Sequence, residues 1–344
     1  MSWVIRQGRL SLRLSRRRLL LGLGLGIGVA LLALAMLPLG SHQTGPADLM
    51  ALLRGTASDT ASDTARMILL DLRLPRILLA LLSGAMLGLA GAAMQALTRN
   101  GLADPGLLGV KDGAAVAVVA LILLAPQAPI AWRPAVGMAG GLAAALLVVA
   151  LARTLSQLRF VLIGIGLSWF LSAGLAVLLM TSDIRDVQTA MIWMAGSLNA
   201  ADWQAVHIAA IAALAGAMLL FATARDADAA ALGDAVAAGL GVRLRRLAWL
   251  RFTAPVLLTA ACVSVAGGLG FVGLIAPHLA RLTLGGGQAA HLAASGMIGA
   301  ALVLGADSIG RLAFAPLQLP AGIILALVGA PILVVLLWAR RNQL

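Results

Sequence analysis

Four histidines, one cysteine and one lysine are the residues of this chain best suited to catalysis, and their spacing supports none of the usual chemistries. His42, His207, His278 and His291 are scattered singly, without the short spacings that bring ligands onto one metal ion. Cys262 lies alone in an apolar run, which reads as a small buried hydrophobe and gives no disulfide framework. Asp226 and Asp228 are paired carboxylates, but in a polar stretch where solvated charge is the simplest account. No Ser/His/Asp set assembles. Lys111, the single lysine, stands outside any Gly-x-x-x-x-Gly-Lys-Ser/Thr context, so the chain does not cradle nucleotide phosphates in that way. The chain is therefore read as no enzyme, with no cofactor or metal of its own. If it does work, the energy comes from an ion gradient or from a separate ATPase subunit.

The elements that carry these residues follow from composition. Of 344 residues, 61% are apolar and 11% charged, against roughly a quarter charged in soluble domains. A membrane helix needs about 20 mostly apolar residues, so a soluble globular enzyme is excluded and about ten crossings are expected. We place them near 18–38, 74–98, 108–125, 134–153, 160–181, 203–223, 248–268, 271–283, 291–312 and 319–338. The run after Arg16, Arg17 and Arg18 exceeds the usual 7–15 residue core of a signal peptide, and reads as a first crossing. Gly267, Gly268, Gly270 and Gly273 predict a broken helix around the short eighth segment.

The net charge of +12 arises from arginines set between apolar runs, which positive-inside sorting explains better than nucleic-acid binding. With both termini cytoplasmic, 17 arginines fall inside and 7 outside. Residues 1–17 form a basic cytoplasmic N-terminus. Residues 39–72 read as an outer loop, with a short helix at Pro46–Arg54 and a solvated linker at Thr56–Asp63. Residues 224–247 form the longest inner loop. No domain boundary is visible, so 1–344 reads as one membrane domain.

Gly84, Gly88 and Gly91 on one segment, and Gly137 and Gly141 on another, predict close helix–helix approach. In the inner loop an acidic residue, small apolar residues and closing glycines over 232–241 predict a short capped helix. Followed by Arg243, Arg245 and Arg246, it suits either docking into a partner's groove or an interfacial turn. On the outer side, Arg73, Arg76 and Arg311 are either snorkelling side chains or a receptor for the carboxylates of a docking protein.

Several motifs now combine. Arg73-Leu-Pro-Arg76, Gly84, Gly91 and Gln95, and then Arg99-Asn100-Gly101-Leu-Ala-Asp-Pro105-Gly-Leu-Leu-Gly109, resemble the bacterial permeases for ferric siderophores, haem and cobalamin. So do Trp193-Met-Ala-Gly-Ser197, Phe271-Val-Gly-Leu-Ile-Ala-Pro277-His278, Ala306-Asp307, Leu319-Pro320-Ala-Gly322 and Gly329-Ala-Pro331. The resemblance runs from about residue 73 to the C-terminus.

It implies an all-α integral membrane fold of ten helices in the bacterial inner membrane. It implies as partners a second permease subunit, two ATPase subunits that bind ATP and Mg, and a periplasmic binding protein. Leu232, Gly233, Asp234, Ala235, Val236, Ala237, Ala238, Gly239 and Leu240 would form the coupling helix on the ATPase. Arg73, Arg76 and Arg311 would pair with acidic residues of the binding protein, and Ser156, Gln157 and Leu158 would form the cytoplasmic gate. Candidate pathway residues are Gln188, Thr189, Met191, Met194, Ser197 and Asn199.

Ile163-Gly-Ile-Gly-Leu167 and Ala195-Gly-Ser-Leu-Asn199 look more like ferric-siderophore permeases than cobalamin ones; haem and cobalamin are the alternatives. An ion-coupled secondary transporter would place ionisable groups mid-membrane, and a scaffold protein would need neither gate nor coupling helix. Two departures stand out. Asn100-Gly101 replaces Asn-Pro, and Lys111-Asp112 replaces a small or neutral polar pair. The charged pair is either self-neutralising at a helix start or functional.

Overall fold

The computed structural model describes residues 2–7, 10–39, 64, 66–153 and 158–340. A short ribbon comes first: β1 (Ser2–Gln7) pairs antiparallel with β2 (Leu10–Ser15), with Ser2 opposite Ser15 and Gln7 opposite Leu10. It is an addition ahead of a body that is helical, as the all-α reading expects. Leu10, Leu12 and Leu14 alternate with Ser11, Arg13 and Ser15, the period of a strand and not of a helix.

The rest is helical. The long helices are α1 (Arg16–Met36), α2 (Leu74–Thr98), α3 (Val110–Leu124), α4 (Arg133–Ala152) and α5 (Leu158–Met180). After a short α6 (Ile184–Met194) comes α7 (Trp203–Ala222). The inner loop holds α8 (Ala224–Ala231) and α9 (Asp234–Gly239). Then follow α10 (Leu244–Ala266), α11 (Val272–Thr283), α12 (Gln288–Leu312) and α13 (Ala321–Arg340).

Helices thus lie on all ten apolar segments read from the sequence. Among the described residues, seven helical stretches are long and apolar enough to cross a membrane. With 15 and 12 residues, α3 and α11 fall short of the ~20 that a crossing needs. The chain is an integral membrane helical bundle.

Two boundaries differ from the sequence reading. Helical structure is already present at Arg66 and Met67 and continues through a π-helical turn, Ile68–Arg73, so the outer loop ends earlier than residue 72. Pro75 explains the turn. Proline lacks an N–H and its ring crowds the carbonyl four residues back, and a widened turn relieves both; Leu74 N–H donates to Leu69 O, five residues back. The inner loop holds two short helices where one was expected. Gly233, at φ 111°, breaks the path between α8 and α9, and Gly241, at φ 84°, closes it.

The core is built around α2, whose small-residue face admits neighbouring backbones. A Cβ on Gly84 would overlap the Gly299 carbonyl of α12, one on Gly88 the Ser295 carbonyl, and one on Gly91 the Gly273 carbonyl of α11. Glycine is required there by contact, since lipid supplies no hydrophobic drive for helix association. Around this seam Leu79, Met86, Leu258, Leu292 and Leu304 are fully enclosed. The predicted helix break is present. α10 ends at Ala266, Gly267 takes φ 71°, and α11 starts after Phe271 at φ 66°. The end of α6 seats against this break, where a side chain at Gly267 would meet the Trp193 carbonyl and one at Gly268 the Met194 carbonyl.

Candidate translocation and coupling site

On α9 and its flanks, Leu232, Val236 and Leu240 recur every four residues and are 68%, 48% and 65% exposed, while Ala237 is buried against the bundle. Val236 and Leu240, one turn apart, share one face of α9, while Leu232 precedes the break at Gly233. Asp234, Ala235, Ala238 and Gly239 are exposed and Gly233 is half-buried, and a side chain at Gly239 would meet nothing within 4 Å. Arg243, Arg245 and Arg246 border this apolar stripe.

The stripe is tied to the bundle at two points. Arg99 closes α2 in a left-handed conformation, φ 52°, and its guanidinium pairs with Asp234 and donates to the Ala230 carbonyl. On α8, Asp228 accepts the Gln288 N–H at 2.8 Å, capping α12, and Arg251 of α10 donates to the Gln288 side chain at 2.9 Å. The simple solvated reading of Asp228 is therefore corrected: it is exposed, yet it anchors the inner loop to α12. Arg281 on α11 donates to Gln95 of α2.

Beyond Arg99, the chain runs through a 3-10 turn, Pro105–Leu108, into α3 and lines two adjoining cavities. One of about 250 Å³ is walled by Lys111, Asp112, Ser172, Trp193, Met194, Val263 and Gly268, among others. A second of about 320 Å³ shares Lys111, Asp112, Ser172 and Val263 and adds Asp104, Ser168, Trp169 and Thr259. The two charged departures of the sequence, Lys111 and Asp112, stand where the cavities meet. Burial pushes the Asp104 carboxyl up, opposed by the Gly106 N–H, which it accepts at 3.2 Å, and by Lys111. Ser168 and Ser172 were not singled out from sequence, although their i, i+4 spacing on α5 puts both on one face.

Of the six pathway candidates, Met194 lines a cavity. Gln188, Thr189, Met191 and Asn199 are exposed, and the half-buried Ser197 accepts the Asn199 N–H at 3.2 Å. Of the gate residues, Ser156 and Gln157 lie outside the described residues, and Leu158 opens α5.

The three outer arginines meet at one end of the bundle. Arg76 forms a buried pair with Asp307 of α12 at 2.8 Å and donates to Gln318. Arg73 donates to the Leu37 and Pro38 carbonyls at 2.9 and 2.8 Å, and Arg311 to the Leu39 carbonyl at 2.8 Å. Arg73 and Arg311 therefore cap the chain leaving α1, whose last carbonyls lack intrahelical partners, and both are buried.

With this geometry in hand, the comparisons with known proteins are consistent over most of the chain. The sequence profile of the FecCD transport family matches residues 28–339. The chain is 39% identical over 285 residues to the probable siderophore transport system permease protein YfhA of Bacillus subtilis (strain 168), covering 80% of this chain and 83% of that one. It is 34% identical over 314 residues to the hemin transport system permease protein HmuU of Yersinia pestis, covering 90% and 93%. Its fold is similar to a solved ABC transporter assigned to the metal-chelate type, in an inward-facing conformation. There the TM-score is 0.82 at 27% identity, over 92% of this chain and 98% of the other.

Proposed function

This chain belongs to the FecCD transport family of membrane permeases, and from that premise we propose that it is the permease subunit of an ATP-driven importer for ferric siderophores. The observation that carries the reading is the exposed stripe Leu232, Val236 and Leu240, tied through Arg99 to the segment that lines the cavities. An apolar helix face bordered by arginines and left uncovered fits the groove of a partner. The chain's own lysine is not set in a phosphate loop, so that partner would be the ATPase, binding ATP and Mg itself.

In the full assembly two permease subunits, this chain with a copy of itself or with a related one, sit on two ATPases in the bacterial inner membrane. Ten crossings leave both termini cytoplasmic. A periplasmic binding protein docks beside Arg73, Arg76 and Arg311, and the cargo enters a cavity between the two permease subunits, bordered by Gln188, Thr189, Met191, Met194, Ser197 and Asn199. Nucleotide-driven movement of α9 then switches access from outside to inside through a gate at Ser156, Gln157 and Leu158. Relatives named for siderophore and hemin transport support the cargo class, and the Ile163–Leu167 and Ala195–Asn199 segments favour a siderophore over haem or cobalamin.

The test is uptake of labelled ferric siderophores, haem and cobalamin by cells with and without the gene. Selective loss of one ferric siderophore is expected; persistence of every siderophore uptake would count against the cargo assignment. One observation favours a second reading, an ion-coupled transporter: Lys111 and Asp112 are an ionisable pair on a cavity wall. Uptake abolished by an ionophore while ATP is held constant would support that reading, and uptake lost only on ATP depletion would support the importer.

A further inference from the structure

We propose that Lys111, with the hydroxyls of Thr259 and Ser168, forms an anion-selecting subsite for the cargo, taking a free carboxylate of a ferric chelate in transit. The inference rests on the importer reading above and adds to it the chemical class of chelate.

Lys111 is badly placed for a structural charge. It occupies the first turn of α3, two residues after Gly109, where the helix's positive end opposes a cation. Asp112, the next residue, suits that same position, so the helix start explains one member of the pair and not the other. Nor do the two neutralise each other directly. Neither Asp112 nor Asp104 lies within ion-pair distance of the ammonium. Each carboxylate is engaged elsewhere: Asp112 accepts the Ser172 hydroxyl at 3.5 Å, and Asp104 accepts the Gly106 N–H. The Lys111 stem instead crosses to the helix break. Its Cε and Nζ lie 3.0 and 3.5 Å from where a Gly268 Cβ would stand, so the missing side chain there makes room for it. The ammonium is thereby held at the junction of both cavities.

A second, independent observation points to a ligand. Thr259 is 2% exposed, and its hydroxyl, like that of Ser168, is buried without a hydrogen-bond partner among the described residues. An unsatisfied buried hydroxyl costs about 1–3 kcal/mol, and both line the cavity that Lys111 enters. One ammonium and two orphan hydroxyls make a donor set for an anionic oxygen group. Asp104 and Asp112 on the same walls confine that group to the Lys111 side and disfavour a polyanion lying flat across the cavity.

Because Lys111 is the chain's only lysine, a single lysine-containing peptide of this chain reports its acylation. The experiment measures acylation of Lys111 by peptide mass spectrometry, in the intact transporter in lipid nanodiscs. Ferric citrate, with free carboxylates, and ferrichrome, an uncharged trihydroxamate chelate, are the two probes. Ferric citrate should slow acylation about tenfold, the value of one charge-assisted hydrogen bond, and ferrichrome at equal concentration should not. Equal slowing by both, slowing by ferrichrome alone, or no slowing would overturn the subsite. Thr259→Val should weaken the citrate protection without altering the unprotected rate; unaltered protection would remove Thr259 from the site. The readout needs neither ATP nor uptake. Its failure would therefore leave the importer reading standing, whereas lost uptake dependence with protection intact would remove that reading and keep the site.

Discussion

Arg99, the residue that closes α2, is paired with Asp234, the first residue of α9. One ion pair thus joins the exposed inner helix to the end of the most enclosed helix of the bundle, immediately before the segment that lines the cavities. Both side chains are more than half exposed, so the pair contributes at most about 1 kcal/mol to stability. Its position gives it a mechanical role. If α9 couples to an ATPase as proposed, its movement would pass through this pair to the loop that carries Asp104 and on to the start of α3 at Lys111.

Arg99→Ala and Asp234→Ala should therefore leave the melting temperature nearly unchanged and lower the amount of chelate imported per ATP hydrolysed. The charge-swapped double variant, Arg99→Asp with Asp234→Arg, should recover part of that ratio. The check is paired measurement of uptake and phosphate release in proteoliposomes. An unaltered ratio in both single variants would leave the pair as a surface contact only.

The glycine seam of α2 makes a different kind of prediction, one about folding. Gly84→Val and Gly88→Leu force a side chain into the backbone of α12, which should cost at least about 1–3 kcal/mol. Gly28→Ala on α1, where a Cβ would meet nothing within 4 Å, should be near neutral. Thermal unfolding of the detergent-solubilised chain separates the two; equal melting temperatures would contradict the seam.

At the opposite end of the bundle, Arg76→Ala leaves Asp307, with its side chain 4% exposed, as a buried unpaired carboxylate. Breaking a buried pair from one side typically costs about 3–5 kcal/mol. Arg76→Met with Asp307→Leu should regain most of that stability. A double variant as unstable as Arg76→Ala would show that the pair's charge is not what stabilises the site.

Arg73 and Arg311 hold carbonyls beyond the end of α1. Arg311→Met should raise hydrogen exchange around residues 35–39, with little change at α2. If the same arginines receive acidic residues of a binding protein, Arg73→Glu weakens docking most at low ionic strength, where surface charge is least screened. Docking affinity that is the same before and after the change would confine these residues to capping.

How much of this was legible in the sequence depends on the physics of each feature. Helix positions were legible because an apolar run of near membrane length satisfies its own backbone hydrogen bonds only as a helix, and the Gly267–Gly273 break because four glycines crowd seven residues. The N-terminal ribbon was missed, although Leu10, Leu12 and Leu14 carry the strand period. The π-turn before Pro75 was missed because proline marks a boundary locally without saying how the turn before it adjusts. The short inner helix was legible from the acidic start, small apolar residues and closing glycines over 232–241. The partners that fix it, Arg99 for Asp234 and Gln288 for Asp228, are 135 and 60 residues away in sequence, and no local pattern reports such pairings. The same applies to the cavity: Lys111 stood out as a departure, but Thr259 and Ser168 become meaningful only once α3, α5 and α10 are brought together.

The central claim, that α9 transmits nucleotide-driven movement from a separate ATPase, is tested most directly at Gly239. It is exposed, and a Cβ there would meet nothing within 4 Å among the described residues outside its own helix, so Gly239→Trp is chosen to disturb a docked partner and not the fold. The measurement is ATP-dependent uptake of a labelled ferric siderophore in proteoliposomes holding the assembled transporter, with ATPase association followed in parallel. Loss of both uptake and association, at an unchanged melting temperature, is the predicted result. Uptake equal to that of the unsubstituted chain, with the ATPase still bound, would contradict it.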